Sequence, residues 1–498
     1  MTDATVSAWP LAALLQLAPL AGALLVYAVR RFGFALRLGQ AVALCELLLA
    51  IGLYLDFDAR AAGMQFVETL PLAGPFAYHA GADGVTVLFV LLAALITFLV
   101  ALYLGPRGLA DPVPLLLVVL AIEVVLMSML LTLNLLWFVA ASALELGLVG
   151  YLLWRWAGSP LKDLAFARFV QFQAAGLLMV LAGTLLLGWS HADATGRWSF
   201  DRMDLMAVPA PAAVRSLIFF LLFYGLGVRT PIFPLHGWLP VVMQHGNVAI
   251  GPAYLLGVKV GIYGMVRFMF PLLPEAAAQW SLHAMVFAAA GVFYAAALAF
   301  QQGNLRRMMA FAVVSHTGLI VMGLFTLHAA ALQGAVLLAA TFGLAATALL
   351  FIIGLVYRRT QTTQLARLGG LFDRLPFFGL AFLAAGFAIA GMPGTPGFDA
   401  VHLVLESSIR RFGALATVGT ALGNVLAAGF LLFAFQRAFL APAPASETGR
   451  SIPPATALEL FIAAAVIAVL LVAGFFMSPW LDLVDAPMQA LAQRLGVP

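Results

Sequence analysis

Residues 113–154 read VPLLLVVLAIEVVLMSMLLTLNLLWFVAASALELGLVGYLLW, and this stretch decides the fold. It holds no lysine or arginine and only two acids, Glu123 and Glu145. A short connection near residues 132–134 divides it into two apolar runs. A membrane-crossing helix needs about 20 apolar residues, and each run has that reach. Barrel strands would alternate apolar and polar residues, and an open sheet would leave its backbone unsatisfied in lipid. The runs do not alternate. They predict two antiparallel neighbouring helices, with Glu123 and Glu145 near mid-membrane and able to face each other.

The same pattern extends over the whole chain. Of 498 residues, 64% are hydrophobic and 9% charged, and the mean hydropathy is +1.06. A water-soluble domain carries about a quarter of its residues as charges, so lipid must be the solvent. Fourteen apolar runs start near residues 8, 34, 82, 113, 134, 168, 211, 248, 281, 306, 330, 376, 412 and 455. The expectation is an all-α integral membrane protein of about fourteen transmembrane helices. The opening MTDATVSAWP contains Asp3 and no basic residue, and its apolar run continues to Val29. That pattern predicts a retained first helix rather than a cleaved leader.

The formal charge is +4, from 25 basic and 21 acidic residues. The basic residues are spread over short loops, which gives an orientation signal and no nucleic-acid patch. With the N-terminus outside, loops after odd-numbered helices hold fifteen: Arg30, Arg31, Arg37, Arg107, Arg155, Lys162, Arg168, Arg306, Arg307, Arg358, Arg359, Arg367, Arg374, Arg437 and Arg450. The opposite side holds eight: Arg60, Arg197, Arg202, Arg215, Arg267, Arg410, Arg411 and Arg494. The excess predicts both termini outside.

Cys45 is the single cysteine and lies in an apolar run, where it reads as a small core residue. One cysteine supplies no internal disulfide, Cys-x-x-Cys metal site or iron–sulfur ligand set. There is no G-x-G-x-x-G, no phosphate-binding loop and no H-E-x-x-H. No cofactor, metal or nucleotide site is expected.

Two runs are punctuated. RTPIFPLHGWLP places Pro231 and Pro234 in the seventh, and GMPGTPG places Pro393 and Pro396 in the twelfth. Proline removes a backbone donor and glycine loosens the turn. Breaks five helices apart fit two inverted five-helix repeats, runs 4–8 and 9–13. The expected organisation is N-terminal helices over 1–110, repeats over 111–272 and 278–440, and a last helix with a short tail over 441–498. Proline kinks that serve packing alone are the plain alternative.

An ionisable residue at membrane depth costs about 2.5–3.5 kcal/mol on insertion scales, so each is a functional candidate. These are Glu46, Glu123, Glu145, Arg229, His236, Lys259, His316, Asp399, His402 and Glu406. Lys259 is the most informative, because the chain otherwise uses arginine, with Lys162 its only other lysine. A desolvated lysine can exchange a proton, whereas arginine holds its own. A snorkelling side chain or a structural ion pair is the competing explanation. His316 is a lone histidine in an apolar run, a common structural residue and also a suitable relay group. His236 and His245 flank the first break. His402 and Glu406 share a helical face beyond the second. Glu46 has no visible partner.

RTPIFPLHGWLP, followed by GVKVGIYGMVRFMFPLLPEA, resembles the antiporter-like subunits of respiratory complex I, most of all the bacterial M type. HAGADG, ending in Asp83 and Gly84, is similar to the family's start of its third helix. ALELGLV resembles the segment carrying the key glutamate, which falls on Glu145. AFARFVQFQAAGLLM resembles the next helix. FQQGNLRRMMAFAVVSHTGLIVMGLF places the family's histidine on His316, and GMPGTPGF matches its second break. The resemblance covers residues 75–400. It implies a proton-translocating membrane subunit of an NADH–quinone oxidoreductase-like assembly, working with other membrane subunits in a bacterial inner membrane, where the basic-residue excess puts both termini on the periplasmic side. It would be a non-redox part of that translocase. Glu145 would couple to a cation on the broken seventh helix, and Lys259 would pass protons towards His316.

Departures from the pattern accompany the likeness. The lysine expected before Pro231 is Arg229, and the acid expected after the second break falls near Val401, beside Asp399 and His402. The eleventh-helix histidine falls on Phe342, and HGWLPVVMQHG replaces an acidic, proline-containing stretch. These are the marks of a divergent paralogue. They keep open an energy-coupling subunit of an inorganic-carbon accumulation complex driven by proton motive force. A subunit of a cation/proton antiporter or of a membrane-bound hydrogenase is also open, as is a scaffold without transport.

Overall fold

The computed structural model describes residues 10–61, 63–70, 78–106, 109–442, 444 and 452–496. Asp3, Arg107 and Arg450 lie outside the described residues. All fourteen expected runs are helical. The first six spans are Leu11–Ala28, Ala35–Asp56, Gly84–Tyr103, Val113–Leu131, Leu135–Arg155 and Lys162–Thr195. The seventh is Ala212–Arg229, followed after its break by Leu239–His245. The eighth to eleventh are Ile250–Leu272, Ser281–Phe300, Leu305–Thr326 and Ala329–Thr360. Pro376–Ile389 and Gly397–Phe412 form the interrupted twelfth. The thirteenth runs from Ala414 to Leu440, and Ala457–Phe475 is the fourteenth.

Helix starts are set locally. A helix leaves its first N–H groups without partners, and a short polar side chain at the N-cap accepts from them. Asp83 accepts from the Thr86 amide at 2.9 Å, and Asn134 accepts from Trp137 at 3.1 Å. Asn304 accepts from Arg306 at 3.0 Å. Thr456 and Glu459 close a reciprocal capping box.

Burial sorts the spans by position. The tenth is buried except at Arg307 and the eighth and eleventh nearly fully so, whereas the first two bury only a minority of their residues. Their exposed side chains include Leu17, Leu24, Leu48 and Leu55, an apolar surface suited to lipid. Cys45 belongs to that outward face and is not a core residue. Its run is amphipathic only in packing, not in polarity, so composition could not decide its side.

The two-repeat pattern returns in the helix geometry. The sixth and eleventh spans are the longest, at 34 and 32 residues. The seventh and twelfth are broken. The eighth and thirteenth each contain a π turn towards their end, Met265–Met269 and Gln436–Leu440.

Three features depart from expectation. Gln65–Leu70 and Tyr78–Ala82 pair as an antiparallel hairpin. Ser478–Arg494, within the expected short tail, is a helix packed on the third and eleventh spans. The eighth span is also broken. Its axis is interrupted at Lys259, which sits in the left-handed region at φ 50°, ψ 41°. Such a backbone costs a non-glycine residue about 1–3 kcal/mol and persists only where its surroundings fix it. Two glycines allow that. A Cβ on Gly261 would fall 1.8 Å from Thr230 Oγ1, and one on Gly343 would fall 1.9 Å from the Gly257 carbonyl oxygen. The break is therefore clamped by close backbone approach from the seventh and eleventh spans.

Candidate functional site: a buried polar axis

Three of the most buried spans and the first break bring the polar side chains together. Glu145, on the fifth span, is 1% exposed. Arg229 is the last residue of the seventh span before its break. An Arg229 Nη donates to Glu145 Oε2 at 2.6 Å, and the second Nη has no partner among the described residues. A guanidinium is permanently charged, so it balances the carboxylate without releasing a proton. The break itself is tied by Trp238, whose Nε1 donates to the Val228 carbonyl at 3.2 Å.

Lys259 is 2% exposed. Its Nζ donates to Thr317 Oγ1 at 3.1 Å and lies 4.8 Å from the centroid of the Phe342 ring. His316 stacks on the same ring at 4.6 Å. The ammonium is therefore held by a hydroxyl and a π face, with no carboxylate paired to it among the described residues. Such a setting holds a charge more weakly than an ion pair does. Phe342, at the position where the resemblance places a histidine, forms the wall shared by Lys259 and His316.

Glu123 is fully buried on the fourth span. It accepts a short hydrogen bond from Thr97 Oγ1, which also meets the Tyr254 hydroxyl at 3.0 Å. Glu123 and Glu145 thus hold different partners. Adjacent spans bring them to one bundle, but Glu123 turns to the third and eighth helices. Glu46 is also buried, with neither carboxylate oxygen partnered among the described residues.

His236 sits in an aromatic cage at the first break, stacked on Phe233 at 5.8 Å and edge-on to Tyr294 at 5.5 Å. The candidates beyond the second break do not join the axis. His402 and Glu406 are mostly exposed side chains 3.9 Å apart, Glu406 also accepts from Arg410 at 3.1 Å, and Asp399 is half-buried. Val401, where the resemblance places an acid, is buried.

Two buried ion pairs were not anticipated. Arg267 donates to Asp83 at 2.6 Å. Arg359 donates to Glu459 at 2.6 and 3.0 Å, and Arg358 donates to it at 3.2 Å. A signal for the second existed, since Thr456-Ala-Leu-Glu459 is a capping-box spelling. Arg267 read as a loop charge, and nothing in its spacing pointed to Asp83.

Broken, tightly packed membrane helices with charged side chains buried between them define a polytopic class of α-helical membrane protein. The family described as "NADH:quinone oxidoreductase/Mrp antiporter, TM" matches residues 113–427, and the chain belongs to it. It is 33% identical over 316 residues to NADH-quinone oxidoreductase subunit M of Escherichia coli K12, covering 63% of this chain and 62% of that one. The chain thus spans less than two thirds of that relative's length. It is 27% identical over 500 residues to the F(420)H(2) dehydrogenase subunit M of Methanosarcina mazei, covering 98% and 100%. Among solved structures, a chain of respiratory complex I from Thermus thermophilus superposes with a TM-score of 0.86 at 26% identity, over 97% of this chain and 100% of that one.

Proposed function

We propose that this chain is a proton-translocating membrane subunit of an NADH–quinone oxidoreductase-like assembly, itself without a redox centre. The single observation that carries the reading is Lys259. It is a buried lysine in a clamped left-handed break, held by Thr317 and Phe342 beside His316. A group that needed only to be charged would be paired with a carboxylate, as Arg229 is with Glu145. Protons would load on Lys259 when the Glu145–Arg229 pair tightens and withdraws its positive field. They would leave towards His316 when the pair loosens and the field returns. Each pKa unit of coupling corresponds to about 1.4 kcal/mol, within the range of one buried contact.

The other parts of the reading follow from this one. Residues 111–272 and 278–440 would be the two repeats, with 1–110 and 441–498 flanking them. The basic-residue excess supports both termini on the periplasmic side of a bacterial inner membrane. Partners would be further membrane subunits and the redox module that drives them. Arg229 supports a second reading, because a proton path through that position is closed to guanidinium chemistry. In it, the chain couples proton motive force to a soluble partner such as an inorganic-carbon enzyme.

The test is affinity purification of the tagged chain from native membranes, with identification of what comes with it. Quinone-module and iron–sulfur subunits are the expected result. A soluble zinc protein without them would overturn the redox reading and reverse the direction of every proton step above.

A further inference from the structure

At the end of the bundle where the hairpin, the short helix Arg202–Ala207 and the C-terminal helix meet, there is a cavity of about 230 Å³. It lies away from the Lys259 axis. Three arginines line it, Arg202, Arg267 and Arg494, against one carboxylate, Asp83. Asp83 is already engaged by Arg267 at 2.6 Å and by the Thr86 amide at 2.9 Å. Arg494 is oriented by two carbonyls, donating from Nε to Pro271 O at 2.7 Å and from an Nη to Met206 O at 3.2 Å. Neither carbonyl neutralises its charge. The Arg202 guanidinium makes no hydrogen bond or ion pair among the described residues, and its Nε is buried without a partner. The Nε of Arg267 is buried without one as well.

The remaining wall is apolar, built from side chains such as Met206, Val266, Met488 and Leu491. Arg494 is exposed and Arg202 half-buried, but the buried Nε donors of Arg202 and Arg267 without acceptors are costly unless an acceptor is present. Burial, and then the like charge of Arg267, draw the Arg202 guanidinium down to about 10, against the opposing pull of Asp83.

We propose that this cavity is a binding site for a phosphate-class oxyanion, seated between Arg202, Arg267 and Arg494 at the rim of the membrane. Guanidinium forks match tetrahedral oxyanions bidentately. The ligand clamps the C-terminal helix, through Arg494, to the ends of the eighth span and of helix Arg202–Ala207. An anionic phospholipid supplies both a phosphate and acyl chains for the apolar wall. A free phosphate supplies the first alone.

Hydrogen–deuterium exchange of the full chain in its native assembly tests this, read on peptides from 202–207 and 478–494. The assembly is placed in bilayers of zwitterionic lipid alone, of zwitterionic lipid with phosphatidylglycerol, and of zwitterionic lipid with inorganic phosphate in the buffer. Phosphatidylglycerol is expected to slow exchange in both peptides about tenfold, the effect of one charge-assisted hydrogen bond. Arg202→Gln should abolish the slowing, and Arg202→Lys should keep part of it. Slowing by inorganic phosphate as well, or by it alone, also supports the site and assigns it to a soluble anion. Unchanged exchange of the unmutated assembly in both arms overturns the proposal, whatever the variants do.

Discussion

The two helix breaks are written in the same letters and built differently. RTPIFPLHGWLP and GMPGTPG both use proline and glycine to interrupt a span. At the first, the chain places a buried Arg229–Glu145 pair at 2.6 Å. At the second, neutral groups do the work. Asn424 Nδ2 donates to the Ala390 carbonyl at 2.8 Å and Thr395 Oγ1 donates to Met392 O at 2.6 Å. The charges beyond it, His402, Glu406 and Arg410, face outward. A repeated backbone device therefore does not imply repeated chemistry. The break provides unsatisfied backbone and room, and the neighbouring spans decide whether a charge is installed there.

That contrast can be broken by substitution. The largest effect is expected from Glu145→Ala, which leaves Arg229 buried and unpaired at a cost of about 3–5 kcal/mol. Much less chain should accumulate in the membrane, and the double change Glu145→Gln with Arg229→Gln should recover a good part of it. Equal loss in both would mean that the pair does not hold the first break.

Arg229→Lys should lose less than Arg229→Ala, because the ion pair survives. Identical losses, measured as thermal stability of the purified assembly, would show that the guanidinium fork rather than its charge is required. Asn424→Ala removes one neutral hydrogen bond and should cost about 1 kcal/mol. A penalty matching that of Glu145→Ala would erase the distinction between the breaks. Glu406→Gln alters an exposed i, i+4 pair and should change stability by less than about 0.5 kcal/mol. A large loss would mean that its face is covered in the assembly.

What could be read from the chain follows a physical division. Spans and proline breaks are local, so hydropathy and punctuation locate all fourteen, and charge rarity marks Glu145, Lys259 and His316. The break at Lys259 has no such spelling. It is imposed by packing of Gly261 on Thr230 and of Gly343 on Gly257, contacts between distant spans. Thr317 was equally silent, because a hydroxyl that holds an ammonium looks like any other in an apolar helix, and Phe342 was marked only by the resemblance, as the residue standing where a histidine was expected. Periodicity correctly placed His402 and Glu406 on one face but could not say which way that face turns. The Arg267–Asp83 pair joins residues 184 positions apart, beyond the reach of any spacing argument.

The central claim is that Lys259 carries protons, and its most direct test is proton flux in liposomes holding the intact assembly with Lys259→Ala. The account predicts normal subunit content and electron transfer, with proton translocation through this chain lost. Undiminished flux per electron from a fully assembled variant would contradict it and leave Lys259 a structural cation.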